Sequence, residues 1–258
     1  MTSHHANHRP APIPGKSPVH FGIRIYRRRD YGFKLERDTY APINKRSSMN
    51  RWSREENPEL WDALNERYED ADHRIYTDEW CATQQVRALT NFDHNMAFFR
   101  ALDHNVFENA LQRVVAGRKG MVEVSDLNEW DGVPGIYIMV LDEYSQVYVG
   151  ATGSKGIMAR IKQHWGKMKS FDRLIWGDVD TSVLSIDSFR AFDTTRIFAV
   201  KTGRHFELEN AFLEAFPPEF VLNRVQGGLD VAPLAQIFGV EAISRKRDFS
   251  SDNQVTHG

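Results

Sequence analysis

Residues 135–151 of this chain read GIYIMVLDEYSQVYVGA. Apolar residues dominate both ends of this stretch, and polar, turn-favouring residues separate them. Two apolar runs joined in this way are typical of neighbouring strands in a hairpin. We therefore predict an antiparallel pair, with strands at Ile136–Leu141 and Gln146–Ala151 and a turn at Asp142–Ser145.

The segments after this hairpin indicate further elements of the same domain. A helix is predicted over Ile157–Lys169, after a glycine-containing turn. Two more strands are predicted at Val183–Ile186 and Thr195–Val200. A second helix is predicted at Phe206–Phe216, where a proline pair ends it. The order β-β-α-β-β-α predicts an α/β fold of the α+β type, a small sandwich on an antiparallel sheet.

The turn residues Asp131-Gly132-Val133-Pro134 separate this part from a helical region ahead of it. Apolar residues at helical spacing predict three helices there. The first begins at Asn57-Pro58, the second near Asp78, and the third after Asn91, reaching Gly117.

Charge is distributed unevenly along the chain. Residues 1–54 contain 12 of the 33 Lys and Arg residues and 3 of the 35 Asp and Glu residues, so their formal charge is +9 against −11 for the rest. Such an arm suits a polyanion, because neutralised phosphates release counterions; a solvated tail without function is the alternative. The first 20 residues, rich in Pro and His, are predicted to be disordered. The predicted organisation is a basic arm (1–54), a helical region (55–130), a small α/β domain (131–230) and a tail (231–258).

Composition limits the class of protein. The single cysteine, Cys81, excludes an internal disulfide and a multi-cysteine zinc site. No run approaches the roughly 20 apolar residues of a membrane span, and no stretch resembles a signal peptide. A cytoplasmic or nucleoid-associated protein is the expectation.

Two tripeptides of the hairpin, Gly135-Ile136-Tyr137 and Tyr148-Val149-Gly150, together resemble the paired signature of the GIY-YIG nuclease superfamily, with Val where Ile is usual. Arg160 and His164 follow, four residues apart on one predicted helix face. The segment 208–213 and Asn223 resemble the closing Glu helix and Asn of that family. The resemblance covers roughly residues 133–226 and none of the first 130.

This resemblance implies a set of catalytic residues and a set of supporting ones. The catalytic residues implied are Tyr137, Tyr148, Arg160, His164 and Glu209, with Glu209 as the metal ligand. The supporting residues implied are Gly135, Gly150 and Asn223. The glycines are expected to allow close approach to a helix or to substrate, and Asn223 to bond backbone groups.

The chemistry of phosphodiester hydrolysis suits these residue types. Glu209 offers a hard oxygen ligand to one Mg²⁺ or Mn²⁺ ion. Glu207 and Glu214 are alternative carboxylates close in sequence, at less suitable positions on the helix. Arg160 can stabilise the pentavalent transition state, and His164 can accept a proton near neutral pH. Tyr137 could act as a base only if a cation such as Arg160 lowers its pKa.

Basic residues around the predicted helix and in the arm are expected to contact nucleic acid. They are Lys155, Lys162, Lys167, Lys169, Arg173, Arg27, Arg28 and Arg29. Trp165 could stack on a base, although packing in the core is the commoner role for such a residue.

Taken together, these features predict a metal-dependent DNA endonuclease of the restriction or mobile-element type. The alternatives are a nucleic-acid-binding protein with a catalytically silent scaffold and a nuclease directed at RNA. Because one site cuts one strand, a double-strand break requires a homodimer or two successive events.

Overall fold

The computed structural model describes residues 17–26, 32–40, 58–59, 67–70, 75–167, 179 and 182–223. Several predicted features lie outside these ranges: residues 1–16, most of the helix predicted from Pro58, and the tail. Five of the predicted nucleic-acid contacts also lie outside them, namely Arg27, Arg28, Arg29, Lys169 and Arg173.

The first described element is a small hairpin. Strands β1 (Val19–His20) and β2 (Ile23–Arg24) pair antiparallel around two residues with positive φ. Residues 17–20 are therefore ordered, contrary to the prediction of disorder up to residue 20. The physical reason is anchoring to the rest of the molecule, because His20 Nε2 donates to the Thr194 carbonyl oxygen at 2.8 Å.

Two helices precede the sheet. Helix α1 (Asp78–Ala101) begins where predicted but continues through Asn91, so the predicted division of this segment into two helices near Asn91 is wrong. Asn91 is buried inside the helix, and its carbonyl and side-chain oxygens both accept from the Asn95 amide. The chain breaks later, where the Asp103 carboxylate caps helix α2 (His104–Ala116) by accepting from two N–H groups of its first turn.

The predicted hairpin is confirmed as the centre of a four-stranded antiparallel sheet. Strands β4 (Gly135–Leu141) and β5 (Gln146–Thr152) pair over their whole length. Strand β6 (Arg196–Lys201) pairs with the other edge of β4, and β3 (Val122–Glu123) pairs with β6. The order across the sheet is β3-β6-β4-β5, so β5 is an outer strand.

The later helices are shorter than predicted. Helix α3 (Ile157–Gly166) ends three residues before Lys169, and helix α4 (His205–Leu213) ends three residues before Phe216. A 3₁₀-helix at Pro218–Phe220 then leads into the last described segment.

The strand predicted at Val183–Ile186 is not formed, which corrects the predicted order to β-β-α-β-α. A 3₁₀-helix covers Ile186–Ser188 instead, and the Ser185 hydroxyl accepts from the Asp187 N–H at its start. The Leu184 N–H donates to the Asn95 side chain rather than to another strand. Local bonds from Ser and a side-chain partner from α1 thus replace the ladder bonds of a strand.

Alternation along β4 creates two hydrophobic cores, one on each face of the sheet. Tyr137, Met139 and Leu141 point to a core that contains apolar residues of α1 and α3. Their neighbours at positions 136, 138 and 140 point to a core shared with α2 and α4. Both cores contain residues from either side of position 131, so the predicted domain boundary does not separate two cores. Among the described residues, no helix has the length and apolar character to span a membrane.

Candidate active site

The two tyrosines of the hairpin lie side by side on one face of the sheet. Tyr137 pairs with Gly150, and Tyr148 pairs with Met139, so the two side chains are diagonal neighbours. Their ring centroids are 6.3 Å apart. A Cβ atom on Gly150 would lie 2.3 Å from Tyr137 Cζ, so glycine at this position makes room for the phenol.

Gly135 has a different neighbour. A Cβ atom there would lie 2.1 Å from the Val200 carbonyl oxygen, on β6. The glycines of the two tripeptides therefore allow close approach to a strand backbone and to the Tyr137 ring, and not to a helix as expected.

Helix α3 brings Arg160 and His164 to the tyrosines. Its start is fixed by Gly156, which has φ +76° and leaves no room for a Cβ atom beside the Gly132 backbone. The Ile157 N–H then donates to the Val133 carbonyl oxygen at 3.0 Å. Arg160 and His164 stand one turn apart, and His164 is buried with its ring centroid 4.9 Å from that of Tyr148.

A chain of short polar contacts runs from Tyr137 through His164 to Asp187. The Tyr137 hydroxyl lies 3.0 Å from His164 Nε2, and His164 Nδ1 lies 2.6 Å from Asp187 Oδ1. Lys167 Nζ lies 2.6 Å from the second oxygen, Asp187 Oδ2. Sequence reasoning missed Asp187, because the apolar run around it was interpreted as a strand. The signal that could have indicated it is the Ser185-Ile186-Asp187-Ser188 pattern, whose polar residues favour a turn.

The protonation state of His164 follows from its surroundings. Burial lowers the pKa of His164 below its ordinary value of 6.5, and the hydrogen bond with Asp187 opposes this effect. The charges of Arg160 and Lys167 lower it further. At neutral pH the imidazole is therefore uncharged and able to accept a proton.

The tyrosine hydroxyls remain protonated. Burial raises the pKa of Tyr137 well above its ordinary value of 10.0, Tyr148 adds to the rise, and Arg160 opposes it. Burial likewise raises the pKa of Tyr148, again against the charge of Arg160. The condition for Tyr137 to act as a base by itself, a pKa lowered by a cation such as Arg160, is therefore not met, because the effect of burial is larger.

Glu209 places a nearly buried carboxylate beside this cluster. It lies on α4, is 3 % exposed, and receives no hydrogen bond from any residue that the structure describes. Burial raises the pKa of Glu209 and the charge of Arg160 opposes the rise, while Glu209 in turn contributes to the raised pKa of both tyrosines. Glu207, the alternative candidate ligand on the same helix, is exposed.

The donor set fits at most a loosely held metal ion. Within the described ranges, no three His, Cys, Asp or Glu side chains group together as a metal site. A single buried carboxylate without a hydrogen-bond partner suits Mg²⁺ or Mn²⁺, which keeps several waters and takes its other ligands from a phosphate. Glu209 is the residue that would hold such an ion.

Asn223 holds the outer edge of β5. Its side-chain oxygen accepts from the Val149 N–H at 3.0 Å, and its amide donates to the Val149 carbonyl oxygen at 2.7 Å. These are the backbone bonds expected of it. Because β5 is an outer strand, they satisfy groups that would otherwise lack a strand partner.

A groove with basic, aromatic and apolar residues in its lining lies between the N-terminal hairpin and the end of α3. Its volume is about 150 Å³, and it is lined by Arg24, Tyr26, Lys162, Trp165 and Lys167 among others. Trp165 is partly packed, with Nε1 donating to the Thr194 hydroxyl at 3.0 Å. Lys155, by contrast, is exposed in the loop before α3 and does not line the groove.

The arrangement thus gathers a neutral proton acceptor, two protonated phenols, a cation and one carboxylate that receives no hydrogen bond from the described residues. Four elements contribute these groups, β4, β5, α3 and α4. No family model, curated protein or solved structure matches this chain. The geometry of the cluster is therefore the basis for any functional conclusion.

Proposed function

We propose that this chain is a GIY-YIG-type endonuclease that hydrolyses phosphodiester bonds in DNA with the help of one Mg²⁺ or Mn²⁺ ion. The observation that carries the proposal is the contact of Tyr137 with Tyr148 and His164, together with the charges of Arg160 and Glu209, which lie near enough to affect the pKa of both tyrosines. These residues are up to 72 positions apart in the sequence, yet each has the chemistry that one step of the reaction requires.

The proton of the attacking water has a defined route. The water oxygen forms a bond to phosphorus while its proton passes to the Tyr137 oxygen, and the Tyr137 proton passes to His164 Nε2. Tyrosine thereby acts without ever becoming a free phenolate, in keeping with its raised pKa. The bond between phosphorus and the 3′ oxygen breaks, a solvent proton completes the 3′ hydroxyl, and the phosphate remains on the 5′ side.

Arg160 would stabilise the negative charge of the transition state. Its guanidinium stays charged at all working pH values and presents several donors to phosphate oxygens. Arg160 is partly exposed whereas Tyr137 is fully buried, so the phosphate meets Arg160 first. The Arg160 guanidinium donates to the Gln163 side-chain oxygen at 2.7 Å, a bond that a phosphate oxygen would replace.

Glu209 supplies the metal ligand. A divalent ion held there would supply neutralisation of the charge on the phosphate and on the leaving oxygen. Lys155, Lys162 and Lys167 supply contacts to the DNA backbone, which position the substrate without reading its sequence. The role is of the restriction or mobile-element type, in the cytoplasm or on the nucleoid.

The test is cleavage of supercoiled plasmid by the full chain, with Mg²⁺ and with EDTA. We expect nicking that requires the metal and that falls at least about 100-fold in Glu209→Gln, because metal assistance is worth several kcal/mol. Glu207→Gln is the matched control on the same helix and should cut at the wild-type rate.

Three results would reject the proposal. Binding without cleavage would indicate a silent scaffold, and cleavage of RNA but not plasmid would indicate an RNA-directed enzyme. Equal loss of activity in Glu207→Gln and Glu209→Gln would remove Glu209 from the metal site.

A further inference from the structure

Asp187 connects His164, on α3, with Lys167, the residue directly after that helix. Its Oδ1 contacts His164 Nδ1 and its Oδ2 contacts Lys167 Nζ, each at 2.6 Å. The Asp187 side chain is 12 % exposed and that of His164 is 5 % exposed, so little solvent competes for the contact between them.

The backbone around Asp187 is also fixed. Its N–H donates to the Ser185 hydroxyl at 3.3 Å, and its carbonyl oxygen accepts from the Arg190 guanidinium at 3.2 Å. The carboxylate is therefore held in place at both ends of the residue, as a group that orients another must be.

We propose that Asp187 is a positioning residue that holds His164 in the tautomer protonated on Nδ1, which leaves Nε2 free to accept the Tyr137 proton. This inference rests on the proposed function only where it assigns transfer of the Tyr137 proton to the cleavage reaction. The tautomer itself is a property of the protein at rest and can be measured without any substrate.

The argument follows from donor and acceptor rules. An ionised carboxylate can only accept, so Nδ1 must carry the hydrogen that lies between it and Asp187 Oδ1. A neutral imidazole has one N–H, so Nε2 presents a lone pair. The Tyr137 hydroxyl, 3.0 Å away, must then be the donor, and its hydrogen already points along the route of proton transfer.

Removal of the carboxylate would release this constraint. In Asp187→Asn the new amide can donate to Nδ1, which favours hydrogen on Nε2 and reverses the bond to Tyr137. Nε2 then has no lone pair for the Tyr137 proton. Carboxylates that orient the rings of metal-ligating histidines typically contribute 10- to 100-fold to activity, and on the same scale we expect cleavage to slow at least about tenfold.

The first measurement uses the unaltered full chain labelled with ¹⁵N-histidine. Long-range proton–nitrogen NMR spectra at neutral pH, assigned for this residue with His164→Gln, give the protonated nitrogen directly. We expect Nδ1–H in the wild type and Nε2–H in Asp187→Asn. Asp142→Asn is the control, since Asp142 pairs with Arg196 and not with the cluster. Its His164 signals and its cleavage rate should match the wild type.

The outcomes separate this inference from the proposed function. A wild-type His164 protonated on Nε2 would overturn it without the need for any variant. It would also be overturned by Asp187→Asn that keeps the wild-type tautomer, or that cuts plasmid at the wild-type rate. If the wild type cuts nothing, the proposed nuclease fails while the NMR result still decides the role of Asp187 on the ring.

Discussion

At the scale of single residues, burial of Glu209 has a cost in stability that its proposed role as a metal ligand would explain. Its carboxylate is 3 % exposed, and burial raises its pKa above the ordinary value of 4.5. An acid with a raised pKa in the folded state stabilises the fold below the unfolded pKa and loses that contribution as the pH rises. Above the folded-state pKa of Glu209, the ionised side chain lowers the free energy of unfolding.

We therefore expect Glu209→Gln to melt a few degrees higher than the wild type at neutral pH without metal, although it cuts DNA far more slowly. Mg²⁺ should raise the Tm of the wild type and leave that of Glu209→Gln unchanged, since a ligand stabilises only the protein that binds it. Thermal denaturation with and without Mg²⁺ measures both effects. A Tm that responds equally to Mg²⁺ in the two proteins would contradict this explanation.

The buried imidazole of His164 predicts how the stability of the fold changes at acidic pH. Its pKa in the folded state lies below 6.5, so the unfolded chain binds a proton first as the pH falls. Stability is therefore complete above about pH 6.5 and is lost as the pH falls from there through the folded-state pKa. The charged groups that act on the ring are Asp187, Arg160 and Lys167.

His164→Gln removes this titration, so its Tm should fall less than that of the wild type between about pH 7.5 and 5.5. The other groups that titrate in this window are present in both proteins, and the difference between the two curves isolates His164. Parallel curves would show that His164 is not buried as a neutral ring.

At the scale of elements, the hairpin of β4 and β5 makes room for the Tyr137 hydroxyl because position 150 is a glycine without a side chain. A methyl group at position 150 would lie 2.4 Å from the Tyr137 hydroxyl oxygen, so Gly150→Ala must displace the ring. Overpacking of this kind costs about 1–3 kcal/mol. We expect the bond to His164 to be lost and cleavage to fall at least about tenfold, a loss equivalent to about 1.4 kcal/mol.

Gly203→Ala is the matched control, because a Cβ atom there meets nothing within 4 Å. Activity and Tm of the two variants, measured side by side, test the claim. A Gly150→Ala protein with wild-type cleavage would show that the position of Tyr137 does not matter.

Local pattern explains which elements could be predicted from the sequence. The positions of β4 and β5 and the start of α3 depend on neighbouring residues, and these were predicted to within one residue. The segment from Val183 to Ile186 has equally apolar residues, but Asn95 from α1 takes the Leu184 N–H. That bond depends on a residue 89 positions away, so neither the loss of the strand nor the place of Asp187 can be predicted from local spacing.

At the scale of the whole molecule, the cluster joins the two sides of the sheet. Helix α3 contributes to the core that contains Tyr137, whereas α4 contributes Phe212 and Leu213 to the opposite core. The charge of Glu209 nevertheless affects the pKa of both tyrosines. Only the complete sandwich brings these groups together, and for this reason Glu209 was expected from resemblance and residue chemistry rather than from periodicity.

The groove beside the end of α3 predicts where a DNA substrate binds. Lys162 is exposed and lines the groove with Arg24 and Tyr26, and no described carboxylate pairs with it. If the DNA backbone follows this groove, Lys162 neutralises one phosphate and releases its counterions. Lys162→Ala should then weaken binding of a labelled duplex and reduce the slope of log K against log salt by about 0.9.

The measurement is fluorescence anisotropy in EDTA, where no cleavage takes place, at salt concentrations from about 50 to 200 mM. Lys119→Ala serves as the control, because Lys119 is equally exposed and does not line the groove. A nonspecific charge effect would change both variants alike, whereas a backbone path along the groove changes only Lys162→Ala. An unchanged slope in Lys162→Ala would place the DNA on another face of the molecule.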